Sequence, residues 1–375
     1  MSLAELLDGL ELVDHHCHSV TRADLDRAGI EGYLTEAHET EPAVSSFATP
    51  LGTSVRRWCA PVLDLEPHVE PDDYVARRLE LGAEEVNRRF LRAARASDLL
   101  VDAGYRQDEL LDAPALARAS GARVHEVLRL EPLAEEVARD TGATEFPDAF
   151  SAALEQRARD ALALKSIVAY RFGFDLAAEA PPRSEVIEAA DRWMEHARRT
   201  GRWRLADPVL LRFILWVAAR LGHCLQLHAG LGDPDVRLHR ADPSLLSDFL
   251  EAVAPTGTRV MLLHCWPYHR QAAWLAAVYP HVFFDVGLAL NHVGAQASAV
   301  LAESMELAPY QKLLYSSDAF GIAELHHLGS LRFRRSLARV LGEWVADDEM
   351  SSGDAAWVAR AIGGANARRV YGLAE

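Results

Sequence analysis

Eight short apolar runs recur along this chain, at residues 12–18, 96–104, 122–131, 162–171, 223–228, 259–264, 281–287 and 312–318. Runs of this length, bounded by turn-forming or polar residues, read as buried strands. Helix-forming stretches separate them, and parallel strands need such crossovers because a tight hairpin cannot join them. The alternation predicts an α/β fold, a (β/α)8 TIM barrel rather than a sandwich. A length of 375 residues would otherwise suggest two or three domains, but barrels run long as one. Residues 1–375 are therefore expected to form a single barrel. Residues 19–95 break the rhythm with charged, helical and proline-bearing segments. They read as a helical insertion after the first strand, either a lid or ordinary surface helices. Residues 331–375 close the chain as helices, the last two lying around Gly363-Gly364.

Polar residues punctuate the strand ends, and in a barrel the C-terminal strand ends converge on the active site. The first strand closes with Asp14-His15-His16-Cys17-His18. A period of two puts Asp14, His16 and His18 on one face and Val13, His15 and Cys17 on the other. Two imidazoles at i and i+2 can grip one metal ion, although a polar strand rim has the same pattern. The fourth strand carries Lys165 inside an apolar run, the fifth ends in His228, the sixth in His264 and the eighth in Asp318. Six metal-competent side chains on five strands are thus expected at one mouth. Around them, Arg129 and Glu131 end the third strand, Arg171 shares the strand face of Lys165, and Asn291 and His292 follow the seventh. An arginine at such a place can hold a substrate carboxylate in bidentate fashion. It can equally form an internal pair, such as Arg129 with Glu131. Gly230-Leu231-Gly232-Asp233 is a loop candidate, and Glu324, His326 and His327, just beyond the eighth run, either reach the mouth or, as expected, are exposed helix residues.

A formal charge of −16 argues against nucleic acid or an anionic membrane as partner, since both favour a basic face. The expected partner is a small-molecule substrate, with homo-oligomerisation left open. Cys17, Cys59, Cys224 and Cys265 are scattered without a CxxC pair, which suits a reducing compartment. Residues 1–14 lack the basic and apolar regions of a signal peptide. The apolar stretch 209–219 is short and interrupted by Arg212, so it does not span a bilayer. A soluble, cytoplasmic protein is expected.

The order HxH, Lys, His, His, Asp on strands one, four, five, six and eight resembles the amidohydrolase superfamily of metal-dependent hydrolases. More narrowly the chain is similar to the amidohydrolase-2 group and, within it, to the amidohydrolase half of FluG-type proteins. The phrases that carry the likeness are Asp14-His15-His16-Cys17-His18, Leu128-Arg129-Leu130-Glu131, Lys165 to Arg171, Leu225 to Asp233, Leu314 to Ala319 and the closing Gly363 to Tyr371. The resemblance implies one metal on His16, His18 and Asp318. A second would sit on His228 and His264, with a carboxylated Lys165 bridging the two. The alternative leaves Lys165 unmodified, with one metal on His16, His18, His228 and Asp318 and with His264 orienting or polarising the substrate. Neutral imidazoles and a carboxylate suit zinc, and also Mn, Fe or Co.

Such a metal lowers the pKa of bound water and polarises a carbonyl. Asp318 is then the expected general acid/base, and Arg171, Arg129, Glu131 and His292 are the candidate substrate contacts. The leading expectation is hydrolysis of a C–N bond in a small carboxylate-bearing amide by metal-activated hydroxide. Resemblance to FluG-type proteins points toward a γ-glutamyl amide or a related nitrogen compound. Rival readings on the same scaffold are a one-metal decarboxylase of an organic acid, a sugar-acid isomerase and a non-catalytic binding protein.

Overall fold

The computed structural model describes residues 3–374 except 105 and 107. Seven strands form, and their order in the sheet follows the chain: β1 (Leu12–Cys17), β2 (Ala96–Asp102), β3 (Arg123–Arg129), β4 (Ala163–Ser166), β5 (Cys224–Ala229), β6 (Val260–His264) and β7 (Val282–Phe284). Two compact units emerge, one of Met1–His125 with Asp285–Glu375 and the other of Glu126–Phe284.

In the first unit β1 and β2 pair in parallel, Leu12 opposite Ala96 and Cys17 opposite Val101, with register shifts along the ladder. The run expected as an eighth strand does not form one among the described residues. It nevertheless follows β1 through backbone bonds: His15 N–H donates to Tyr315 O at 3.3 Å, Asp318 N–H to His16 O at 3.1 Å and His18 N–H to Ala319 O at 2.8 Å. Asp318 has a φ of 45°, and that left-handed residue interrupts the extended ladder where the run reaches its functional end.

Between β1 and β2 the described elements are helical, the principal one being Pro71–Ala94. Pro71 opens it where a missing N–H costs nothing, and Asp72 and Asp73 sit favourably in its first turn. Gly82, at φ 76°, kinks it, and Asp24 Oδ1 accepts the Ala83 N–H there at 2.7 Å. Its buried face, with Tyr74, Val86 and Phe90, joins Cys17, Phe47, Leu99 and Leu325 in one apolar cluster. The Ala323–Ala346 helix carries Leu325 and Leu328 into the same cluster.

At the other end of β2, Asp98 is buried and clasped by Arg123 Nε at 2.8 Å, His125 Nε2 at 3.0 Å and Arg368 Nη2 at 3.1 Å. This N-terminal strand end is the stability side of an α/β sheet. The closing helices Ser352–Arg360 and Asn366–Tyr371 flank the expected glycine pair. A Cβ on Gly363 would come within 2.5 Å of Leu10, so the missing side chain is what lets this turn approach the start of β1.

In the second unit β3 to β7 are parallel neighbours, with Leu128 opposite Leu164, Lys165 opposite Gln226, His228 opposite Leu263 and Leu262 opposite Phe284. Crossover helices include Leu130–Asp140, Phe146–Ala158, Arg183–Thr200, Pro208–Arg220 and His269–Val278. β4 is shorter than its apolar run suggests. Ser166 Oγ accepts the Val168 N–H at 3.1 Å, Glu131 Oε1 accepts the Ile167 N–H at 3.0 Å, and the chain turns into the short Val168–Arg171 helix. Arg171 therefore does not share a strand face with Lys165. No helix among the described residues is long and apolar enough to cross a membrane.

Candidate metal centre

In the first unit His16 and His18 converge on one carboxylate. His16 Nε2 lies 3.3 Å and His18 Nε2 3.7 Å from Asp318 Oδ1, and the two rings meet edge to face at 5.4 Å. His18 Nδ1 lies 3.1 Å from the carbonyl oxygen of Asp102, so Nδ1 carries the proton that it donates. In the neutral ring Nε2 then presents a lone pair toward the Asp318 carboxylate. Two acceptors so placed repel each other unless a proton or a metal cation lies between them. That arrangement, and the fixing of the tautomer by a bond from the far ring nitrogen, fits a divalent metal. His16, His18 and Asp102 also form a buried group of donors, all within 4.8 Å of one another.

Asp14 was expected on the same inward face. Its carboxylate instead accepts from Ser317 N at 2.9 Å and Ser317 Oγ at 2.5 Å, which fixes the loop that presents Asp318. Burial pushes the Asp14 carboxyl up to about 7 against the opposing effect of those two bonds. His15 and Cys17 face packing, as expected. His15 Nε2 lies 3.0 Å from Asp285 Oδ2 and Nδ1 3.1 Å from Tyr371 OH, while Cys17 is fully buried.

Glu324 and His326 are buried, against the expectation of exposed helix residues, and His327 is only partly exposed. Glu324 accepts from Arg78 Nε at 2.8 Å and Tyr74 OH at 3.0 Å. His326 Nε2 donates to the His18 carbonyl at 3.2 Å, bracing the strand end from behind, and burial lowers its pKa to about 4. The exposed reading fails because the Ala323–Ala346 helix packs this charged turn against Pro71–Ala94. His292 closes the Gly287–His292 helix with Nε2 3.3 Å from Glu36 Oε1, and Asn291 donates to Leu325 O at 3.2 Å.

The second unit carries the other predicted residues. Lys165, His228 and His264 are all buried. The His228 ring lies 4.6 Å from that of His264 and 4.4 Å from that of Tyr170, between centroids. His264 ends β6 at φ 67°, a conformation that turns its side chain out of the strand alternation. The 230–233 loop closes on His228: a Cβ on Gly232 would lie 2.3 Å from Tyr170 Oη and 3.0 Å from His228 Nε2. Arg129 ends β3. Glu131 is fully buried and accepts from Ser166 Oγ at 2.6 Å, and burial raises its pKa. Arg171 pairs with Glu135 at 2.9 Å, while its buried Nε has no partner among the described residues.

Sequence reasoning missed Asp102, Ser317, Tyr170 and the bracing role of His326. Asp102 carried the same signal as Asp318, an acid closing an apolar run. The others act through tertiary contacts that have no periodicity.

A family profile described as amidohydrolase matches residues 13–373. The chain belongs to the amidohydrolase family. As an amidohydrolase it is similar to the protein fluG of Emericella nidulans, with 31% identity over 243 residues, or 61% of this chain. That match spans 28% of the fluG protein. A solved Lactobacillus casei structure, assigned to the metal-dependent hydrolases, superposes with a TM-score of 0.88 at 28% identity, covering 99% of this chain and 97% of that one. A uronate isomerase from Bacillus halodurans shares the fold at a TM-score of 0.67 and 14% identity, covering 100% and 96%. The amidohydrolase assignment agrees with the donor chemistry: this is a metal-dependent enzyme family, and the first unit holds buried imidazole and carboxylate groups of the kind a metal takes.

Proposed function

We propose that this amidohydrolase cleaves the C–N bond of a small carboxylate-bearing amide. The observation that carries the reading is the convergence of His16 and His18 on Asp318. These three are assigned to one divalent metal, with zinc the ion that the donors suit and Mn, Fe or Co as substitutes. His228, His264 and Lys165 are assigned as the second ligand set, with Lys165 carboxylated. A buried lysine amine is cationic or neutral, whereas its carbamate is an anionic ligand. Bound metal supplies Lewis acidity, which lowers the pKa of water and polarises a carbonyl.

The residues supply the rest. Asp318 accepts the proton of the attacking water and delivers it to the leaving nitrogen. The loop turn at Asp318 and the Asp14–Ser317 clamp hold that carboxylate in place. Arg129, Arg171, Glu131 and His292 orient the substrate. The spare Nε donor of buried Arg171 supports this role, because an unmatched buried donor invites a ligand or water acceptor. Four buried cysteines suit a reducing, cytoplasmic setting.

Protein purified without chelator should carry about two divalent ions per chain, as a two-metal hydrolase requires. Mass spectrometry should find one carbon dioxide added at Lys165. Asp318→Asn should lose turnover of γ-glutamyl and N-acyl amides while keeping at least one ion. One ion per chain, an unmodified Lys165 and turnover of aromatic carboxylic acids instead of amides would replace the hydrolase with a decarboxylase.

A further inference from the structure

Three arginines of the first unit lack the partners that others there possess. Arg27, Arg77, Arg89 and Arg123 each reach a carboxylate, and the chain has 55 acidic against 39 basic side chains. Arg57, Arg332 and Arg335 reach none among the described residues. Arg57 Cζ lies 4.2 Å and Arg335 Cζ 4.5 Å from the centroid of the Trp58 indole. The charged neighbour of Arg332 is Arg335, a like charge, and burial with that repulsion lowers the Arg332 pKa. In a chain so rich in carboxylates, three neighbouring cations left unmatched mark a place where negative charge is supplied from outside.

The place has a shape. A cleft of about 490 Å³ is lined by Thr49, Thr53, Ser54, Arg57, Trp58 and Arg332, together with His68 and Ala295. The three hydroxyls spend their protons inside the protein, Thr49 on Ser46 O and both Thr53 and Ser54 on Pro50 O. Arg57 and Arg332 therefore bring the guanidinium donors to the lining of the cleft. Arg332 anchors one nitrogen on Ser54 Oγ, and its Nε is buried with no partner among the described residues. Indole contact restrains the Arg57 guanidinium, so less freedom is lost when an oxyanion engages it.

We propose that this cleft is an anion site, separate from the metal ligands, that binds a phosphoryl group through Arg57 and Arg332, with Arg335 adding charge behind Trp58. Planar, bidentate guanidinium donors match phosphate geometry, and the volume leaves room for a small organic body attached to it.

Calorimetric titration of the metal-loaded protein with inorganic pyrophosphate, and separately with inorganic phosphate, tests the assignment. Wild type should bind one pyrophosphate per chain, more weakly as salt rises. Arg57→Gln and Arg332→Gln should each weaken binding by about tenfold or more, the loss expected when a charge-assisted contact is removed. Thr53→Glu at the exposed rim should do the same without disturbing a buried group. His16→Ala should leave this binding intact, which separates it from pyrophosphate chelated at the metal. Tighter pyrophosphate than phosphate binding assigns an extended phosphoryl ligand, and equal affinities assign free phosphate. No uptake by wild type, equal uptake by the arginine and Thr53→Glu variants, or loss only in His16→Ala overturns the proposal.

Discussion

Glu324 and Arg78 form an ion pair from which water is excluded, with side-chain exposures of 0% and 2%. Removing one partner strands the other charge, so Glu324→Gln should cost about 3–5 kcal/mol in urea unfolding. The Arg78→Met/Glu324→Leu double variant should recover most of that loss, and a double variant as unstable as the single one would refute the account. Gly232 carries a different constraint. Alanine there drives a methyl into Tyr170 Oη and against His228, so turnover should fall while the unfolding midpoint barely moves. Asp98 adds a pH signature. Its bonds to His125, Arg123 and Ser97 outweigh burial and hold its pKa below the ordinary value. A depressed carboxylate pKa stabilises above the unfolded pKa of about 3.9 and loses that contribution as pH falls below it. The stability gap between wild type and Asp98→Asn should therefore be flat from neutrality down to about pH 4 and shrink below that. A gap that closes well above pH 4 would contradict it. At this scale the strand-end residues were legible because an isolated polar side chain closing an apolar run stands out. The strand-face placement of Arg171 fails because the apolar run 162–171 continues past the point where Ser166 and Glu131 turn the backbone. Glu324 and His326 were misassigned because helical periodicity does not say which neighbour covers a charged turn.

Among the elements, long buried strands were the most legible. β5 and β6 match their apolar runs to within a residue at each end, because each is buried throughout, mostly apolar, and stops at a histidine or its neighbour. β7 shrank to three residues, since Asp285 turns inward to His15 and accepts the Gly287 N–H at 2.8 Å. The run 312–318 kept its place beside β1 but not its ladder, for the left-handed Asp318 and the Asp14 clamp decide its path. Nothing in a hydropathy pattern encodes a clamp between residues 14 and 317. Ser317→Ala removes the hydroxyl that Asp14 accepts from, and leaving that buried acceptor short should cost about 1–3 kcal/mol. Because the same serine positions the loop before Asp318, turnover should fall as well. Stability unchanged in chemical denaturation would mean that Asp14 is held by its other contacts.

At the scale of the whole chain, a net charge of −16 accompanies two units whose cores carry acidic and imidazole groups at their strand ends. Family membership followed from the order of those residues along the chain. The division into two compact units did not, since it depends on which distant segments pack together. On the proposed assignment, metal is a structural component as well as a catalytic one. His16, His18 and Asp318 all lie in the first unit, where a bound cation would relieve the conflict between a neutral His18 Nε2 lone pair and the Asp318 carboxylate. An ion that binds only the folded form stabilises by mass action, by about 4 kcal/mol when present at a thousand times its dissociation constant. Stripping the protein with a chelator should therefore lower its Tm, and adding back zinc or manganese should restore it in a saturable way. His16→Ala and His18→Ala should each blunt that response, because each removes a donor from the set. An apo protein that melts at the holo temperature would show that these side chains satisfy one another without an ion, and the assignment of His16, His18 and Asp318 as metal ligands would fall with it.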